Sequence, residues 1–208
     1  MADIHKKDPH YQRAKRDKYR ARSAYKLLDI QKRFNIFKRA FYILDLGCAP
    51  GSWLQVAKEF AEDNLTKYND QYYHRDHYLI LGVDVKKVSP IENVQIIKMD
   101  FMKPKVITYL ETCFQTDVDL ILSDASINKT GNKFSDHLRQ NNLCRRVLEI
   151  TVALLRLNGS LIMKTFQGPD SNEVFHKAKS VFKMVKAFKP QSSKKKSNEI
   201  YLIGLQKR

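Results

Sequence analysis

Cysteine is scarce in this chain of 208 residues. Cys48, Cys113 and Cys144 are far apart and odd in number, and no C-x-x-C pair occurs, which argues against both a disulfide framework and a zinc site. Cys48 sits inside a glycine turn, but no helper motif surrounds it, and a free cysteine ordinarily behaves as a small hydrophobe. His5, His10, His74, His77, His137 and His176 show no ligand spacing, so no metal is expected. No apolar run reaches the roughly 18 residues that span a bilayer, and no membrane partner is expected. The opening MADIHKKDPHYQRAKRDKYR lacks the apolar core of a secretory signal and is too acidic and too poor in serine for a mitochondrial transit peptide. The expected location is intracellular, with cytoplasm, nucleus and organelle equally open.

Acidic residues are also few: 22 against 38 lysines and arginines, a formal net charge of +16. The excess is concentrated in two places. Between Lys6 and Lys26 nine basic residues face two aspartates, with Tyr11, Tyr19 and Tyr25 interleaved, and between Lys177 and Lys196 eight lysines face no acid. A basic surface attracts phosphate backbones through counterion release. One such run fits a solvated face equally well. Two at opposite ends of one domain point to nucleic acid as the partner.

The length allows one domain with a full core and is short for two, so residues 1–208 are expected to form a single domain. Helical spacing over about 9–35 sets Ala21, Tyr25, Leu28 and Phe34 near one face and basic residues on the other. Strands and helices then alternate. FYILDLG, YLILGVDV, VQIIKMD, VDLILSDA, SLIMKTF, MVKAFKP and EIYLIGLQ read as strands. SWLQVAKEFAE, PKVITYLETCF and SNEVFHKAKSVF read as helices, as does SDHLRQNNLCRRVLEITVALLRL, closed by Asn158-Gly159. This pattern predicts an α/β fold with a mainly parallel seven-stranded sheet covered by helices on both faces. The polar link QSSKKKSN between the last two strands predicts one antiparallel strand near the end of the sheet. DNLTKYNDQYYHRDH reads as a surface loop.

Glycine, only seven residues in all, is informative at LDLGCAPGSW. Ligands of open parallel sheets bind at the carboxyl ends of strands, where the strand order reverses. A dinucleotide site would read G-x-G-x-x-G, and the middle glycine is missing. Asp45 instead precedes Gly47 by two residues. An acid there is poor company for a pyrophosphate and suits a cationic amino-acid ligand, while Gly47 and Gly51 allow close backbone approach. The next two strands end in Asp84 and Asp100, acids able to accept from ribose hydroxyls and from an adenine amino group. Together these are the demands of S-adenosylmethionine, and the fold expected is the Rossmann-like methyltransferase fold that binds it.

From about Tyr19 to Gln206 the chain resembles the FtsJ-like ribose 2′-O-methyltransferases acting on RNA. RARSAYKLLDIQKRF is similar to the family's basic amino-terminal segment, LDLGCAPGSW to its cofactor turn with the following tryptophan, VDLILSDASINKTG to the segment with its aspartate, LIMKTFQG to that with its second lysine, and SSKKKSNEIYLIG to that with its glutamate. The resemblance implies a Lys-Asp-Lys-Glu tetrad at Lys26, Asp124, Lys164 and Glu199. It implies a cofactor site at Asp45, Gly47, Pro50, Gly51, Trp53, Asp84, Asp100 and Asp124. Ala125-Ser126-Ile127 stands where the family commonly has Met-Ala-Pro or a similar Ala-Pro, and the insertion before the second strand makes Asp84 a weaker match than Asp100.

Transfer of a methyl group from a sulfonium to a ribose hydroxyl is an in-line displacement in which a weak nucleophile must be aimed and relieved of its proton. On this reading Lys164, among apolar residues and near Lys26, has its pKa lowered by desolvation and like charge. Asp124 holds it, and Lys26 and Glu199 position the ribose and its phosphate. Taken alone, Asp124 also fits a strand-end cap, Lys164 an edge lysine, Glu199 an ion-pair partner, and Trp53 fits packing better than stacking on the cofactor. The expected substrate is a uridine of large-subunit ribosomal RNA. The alternatives are a tRNA anticodon loop or messenger cap, a non-catalytic RNA-binding module, or a small-molecule or protein methyltransferase on the same scaffold; a dehydrogenase is the weakest.

Overall fold

A computed structural model describes residues 9–68, 76–128, 130–168, 171–194 and 196–208. His5, His74, Lys6, Lys7, Lys195 and the middle of the polar loop lie outside these residues. The apolar runs form seven strands: β1 (Tyr42–Leu46), β2 (Leu79–Asp84), β3 (Gln95–Lys98), β4 (Val118–Ser123), β5 (Leu155–Phe166), β6 (Phe182–Phe188) and β7 (Glu199–Lys207). β1 and β4 are buried at every position because helices cover both faces of the sheet. On one face α2 (Ala24–Phe34) and α3 (Ser52–Tyr68) pack over Ile43, Leu120, Ile162 and Ile203. On the other, α4 (Val106–Phe114), α5 (Lys133–Leu154) and α6 (Ser171–Val181) pack over Leu44, Ile121, Leu161 and Leu202. The alternation of faces follows from the two-residue period of a strand, and each such side chain taken out of water contributes roughly 1.5–3 kcal/mol.

The strand order is β3-β2-β1-β4-β5-β7-β6. The first five strands run parallel, and β7 lies antiparallel between β5 and the edge strand β6. The mainly parallel seven-stranded sheet expected from the sequence is thus present, and its antiparallel member is β7. The order reverses between β1 and β4, so the crevice at their carboxyl ends is where a ligand is expected. No helix separates β2 from β3; their link carries one isolated bridge between Ile91 and Val94.

Three boundaries differ from those the sequence predicts. α3 runs on to Tyr68 through residues read as loop, because Asn64 is buried and donates to the Phe37 and Ala40 carbonyls at 2.7 and 2.9 Å. The basic segment is not one helix but two, α1 (Pro9–Arg16) and α2. Lys18 takes a left-handed backbone with φ 60° between them, and the Asp17 carboxylate holds the bend by accepting from the Tyr25 hydroxyl at 2.8 Å. The long helix ends at Leu154, before Asn158-Gly159. Leu155 already pairs with Val118, and Arg156 donates to buried Asp119 at 2.6 Å, so strand pairing overrides the glycine stop signal.

Asp119 secures the end of the sheet opposite the crevice. It is 5% exposed and also accepts from the backbone N–H groups of Phe41 and Tyr42 at 2.7 and 2.8 Å. Asp119→Ala strands both donors, and we expect a loss of about 3 kcal/mol of unfolding free energy in denaturant titration, with ligand binding at the opposite end unaffected. A loss below about 1 kcal/mol would show that these donors find other partners.

Candidate active site

β1 runs into a turn that must reverse the chain in five residues before α3 begins. Gly47 has φ +79°, and a Cβ there would lie 2.5 Å from the Cβ of Ala125. Gly51 has φ +104°, and its Cβ would lie 2.8 Å from Arg20 Nη1. The Arg20 guanidinium donates to the carbonyls of Pro50, Ser89 and Pro90 at 3.2, 2.6 and 2.7 Å. It thereby ties the turn to the segment after β2. Nothing in the sequence singles Arg20 out from the other basic residues of its run.

Beside the turn lies a cavity of about 410 Å³ lined by Gly47, Asp84, Asp100, Asp124, Ser126 and Lys164, among others. Asp84 accepts from the backbone N–H of Ala49 at 2.9 Å and of Lys86 at 2.8 Å, and Asp100 from that of Met102 at 3.0 Å. These bonds aim both carboxylates and leave acceptor capacity for ligand hydroxyl or amino groups. Asp45 differs. It is 1% exposed, and neither carboxylate oxygen has a hydrogen-bond partner among the described residues. Burial, with Asp124 and Asp84 nearby, pushes its pKa well above the ordinary carboxylate value. A buried, unpartnered carboxylate at a glycine turn fits a ligand bearing an ammonium group.

A narrow recess lined by Asp45, Gly47, Trp53 and Asp124 adjoins the cavity. Trp53 is 2% exposed, donates from Nε1 to the Ser23 carbonyl at 2.9 Å and lies 5.7 Å from the Tyr201 ring, so it packs beneath the turn. Pro50 and Gly51 line neither space; they shape the turn. Cys48 is buried, which pushes its thiol up and removes it as a nucleophile. Among the described residues no group of three or more His, Cys, Asp or Glu could hold a metal, and no helix is long and apolar enough to cross a membrane.

The four residues of the implied tetrad come together. Lys26 is delivered by α2, Asp124 follows β4, Lys164 lies on β5, and Glu199 opens β7. In the antiparallel pair β5–β7, Lys164 faces Tyr201 and Phe166 faces Glu199. Lys164 Nζ donates to the Asp124 carbonyl at 2.6 Å, lies 3.0 Å from Asp124 Oδ1 and 3.8 Å from Glu199 Oε1. Lys26 Nζ lies 3.0 Å from Glu199 Oε2. Burial alone would raise the Glu199 pKa, but the two ammonium groups and the Lys26 and Ser197 hydrogen bonds outweigh it and hold the carboxyl below its ordinary value. The two lysines therefore do not face each other bare: Glu199 stands between them. Tyr201, absent from the residues singled out in the sequence, donates its hydroxyl to Asp124 Oδ1 at 2.6 Å. Burial and the neighbouring carboxylates push that phenol well above its usual value, so it remains a donor.

The second basic run lies against α2. Asp29 on α2 accepts from the backbone N–H and hydroxyl of Ser192 at 2.9 and 2.8 Å, and Phe34 meets Phe188 edge-on at 5.3 Å. The lysine-rich link before β7 is thus pinned beside α2, with Lys194, Lys196, Lys32 and Arg33 exposed.

The profile of the FtsJ-like methyltransferase family matches residues 19–207. The chain belongs to this family. Among its FtsJ-like relatives is the ribosomal RNA large subunit methyltransferase E of Rickettsia conorii, 35% identical over 201 residues that cover 97% of this chain and 85% of the relative. The protein of the same name from Methanothrix thermoacetophila is 37% identical over 198 residues, covering 95% and 72%. A crystal structure of a candidate ribosomal RNA methyltransferase from Plasmodium falciparum superimposes with a TM-score of 0.76 at 31% identity, covering 91% of this chain and 98% of that one.

Asp45 generates a prediction about stability and pH. Its folded pKa lies above the ordinary 3.8, so the unfolded chain, which ionises more readily, is favoured progressively as pH rises above that ordinary value. We expect the ligand-free protein to lose stability over this rise, and Asp45→Asn to remove that slope while weakening binding of a cationic amino-acid ligand at least tenfold. Thermal melts at several pH values and calorimetric titration check both. An Asp45→Asn protein with the wild-type pH slope would contradict the assignment.

Proposed function

We propose that this chain is an S-adenosylmethionine-dependent RNA methyltransferase that modifies the 2′-hydroxyl of a ribose, and that its substrate is a uridine in large-subunit ribosomal RNA. The observation that carries the reading is that Asp124 and Lys164 line the same cavity as Gly47, Asp84 and Asp100. A group able to handle a hydroxyl proton thus sits at the wall of a space suited to the methyl donor. The names of the relatives support ribosomal RNA, and the exposed basic residues of α2 and of the link before β7 support a phosphate-rich partner.

S-adenosylmethionine, when bound, supplies a methyl group activated by its sulfonium. Asp45 would hold its amino group, Asp84 the ribose hydroxyls, Asp100 the adenine amino group, and the Gly47 turn the close approach. The remaining work belongs to side chains of this protein. Lys164, having given a proton to solvent before the step, orients the RNA 2′-oxygen through its neutral Nζ and takes up the hydroxyl proton as the new O–C bond forms and the methyl–sulfur bond breaks. Asp124 and Glu199 stabilise the ammonium that results, and Tyr201 holds Asp124 in the orientation that keeps Lys164 in place. Lys26, paired with Glu199 at 3.0 Å, positions the target nucleotide through its phosphate. The tetrad is largely buried, with Lys26 and Lys164 each 6% exposed, so the target nucleotide must be turned out of its surroundings to bring its ribose to them.

The test is transfer of radiolabel from S-adenosylmethionine into total RNA, ribosomal RNA, ribosomal subunits and tRNA. We expect label in ribosomal RNA at a nuclease-resistant ribose, and at least a thousandfold lower rate in Lys164→Ala. Label in tRNA would overturn the substrate assignment. No label in any RNA despite tight cofactor binding would overturn the enzymatic one and favour an RNA-binding module. Lys194→Ala combined with Lys196→Ala is expected to weaken binding similarly across RNA sequences and to lower the log–log salt slope by roughly 2. An unchanged slope in filter binding would place the RNA elsewhere.

A further inference from the structure

Gln140, about two turns into α5, is 0% exposed, although a primary amide is costly to bury without partners. Its amide is fully engaged. Nε2 donates to the carbonyls of Ala125 and Lys164, each at 3.2 Å, and Oε1 accepts from the backbone N–H of Ile127 at 3.2 Å. The side chain therefore joins the segment after Asp124 to the backbone of Lys164. The β4–β5 ladder cannot make this junction, because its last pair is Ser123 with Met163. Asp124 and Lys164 come one residue later, where the chains are no longer stitched by strand pairing. Gln140 supplies the connection the ladder lacks, and does so from the face opposite the ammonium and carboxylate.

This requirement is tied to a local feature of the sequence. Ala125-Ser126-Ile127 stands where the family commonly carries Ala-Pro. A proline has no N–H to satisfy, whereas Ile127 has one that needs an acceptor, and Gln140 Oε1 provides it.

We infer that Gln140 is a positioning residue for methyl transfer, setting the spacing between Asp124 and Lys164 by bridging Ala125, Ile127 and the Lys164 carbonyl. The inference rests on the function proposed above. Its role is not chemical: the amide touches the backbone, and neither proton nor methyl passes through it. A displacement of about 1 Å at a reacting group costs up to a hundredfold in rate, so loss of the bridge acts on kcat before it acts on binding.

The experiment compares wild type with Gln140→Met, which keeps the volume but forms none of the three bonds, and with Gln140→Met/Ile127→Pro, which also removes the stranded N–H. RNA methylation is followed well below each melting temperature, with KM for RNA and affinity for S-adenosylhomocysteine measured beside it. Expected is a ten- to hundredfold fall in kcat for Gln140→Met, KM and affinity within about threefold, and partial recovery of kcat in the double variant. Gln140→Asn, which keeps the amide but reaches one methylene less far, gives the same kcat readout should the methionine variant not fold. A lowered melting temperature with wild-type kcat would overturn the inference and leave Gln140 a packing residue, as would a kcat loss matched by equal losses in both affinities. Failure of the wild-type protein to methylate RNA would instead overturn the proposed function.

Discussion

The arrangement depends on one carboxylate placed between two ammonium groups. Lys26 and Lys164 are both almost fully buried, and two buried like charges without an anion would expel each other or lose their protons. Glu199 resolves this by giving one oxygen to each, and the lysines in turn keep it ionised against burial. Removing Glu199 leaves the buried Lys26 charge uncompensated, which typically costs about 3 kcal/mol or more, while Lys164 keeps Asp124 at 3.0 Å. Residues 173 positions apart in the chain are thereby locked into one unit.

That unit exists only because of the strand order. β7 enters antiparallel between β5 and β6, which brings Glu199 and Tyr201 alongside Phe166 and Lys164 at the same edge as Asp124. The reversal between β1 and β4 opens the crevice in which Asp45, Asp84 and Asp100 gather. Two sets of acids with different tasks thus meet at one sheet edge: one unpartnered or half-partnered and suited to ligand, the other consumed by lysines. Asp124 belongs to both, since it lines the cavity and pairs with Lys164.

Much of this was legible in the sequence, for identifiable reasons. The strands announced themselves as buried apolar runs, and the cofactor turn is a local motif whose residues act within a few positions of each other. The tetrad was readable only through resemblance, since a lone lysine or glutamate carries no local signal. Arg20, Gln140 and Tyr201 were not legible at all. Each acts through a contact made across the fold, with carbonyls or a carboxylate far away in the chain, and none stands in a patterned position. The misread boundaries have the same origin: the bend at Lys18 is held by Tyr25 and Asp17, and the early end of α5 by pairing with β4. Trp53 packs beneath the turn against Tyr201 and also lines the recess beside Asp45.

The measurement that bears most directly on the account is a double-mutant cycle on kcat for RNA methylation, using Lys26→Met, Glu199→Gln and the pair together. If Glu199 acts by holding the two lysines as one unit, each single change already dismantles it. The double variant should then fall no further than about threefold below the worse single variant. Losses that multiply, so that the double variant shows the product of the two single effects, would mean that Lys26 and Glu199 act independently, and the central place given to that carboxylate would be wrong.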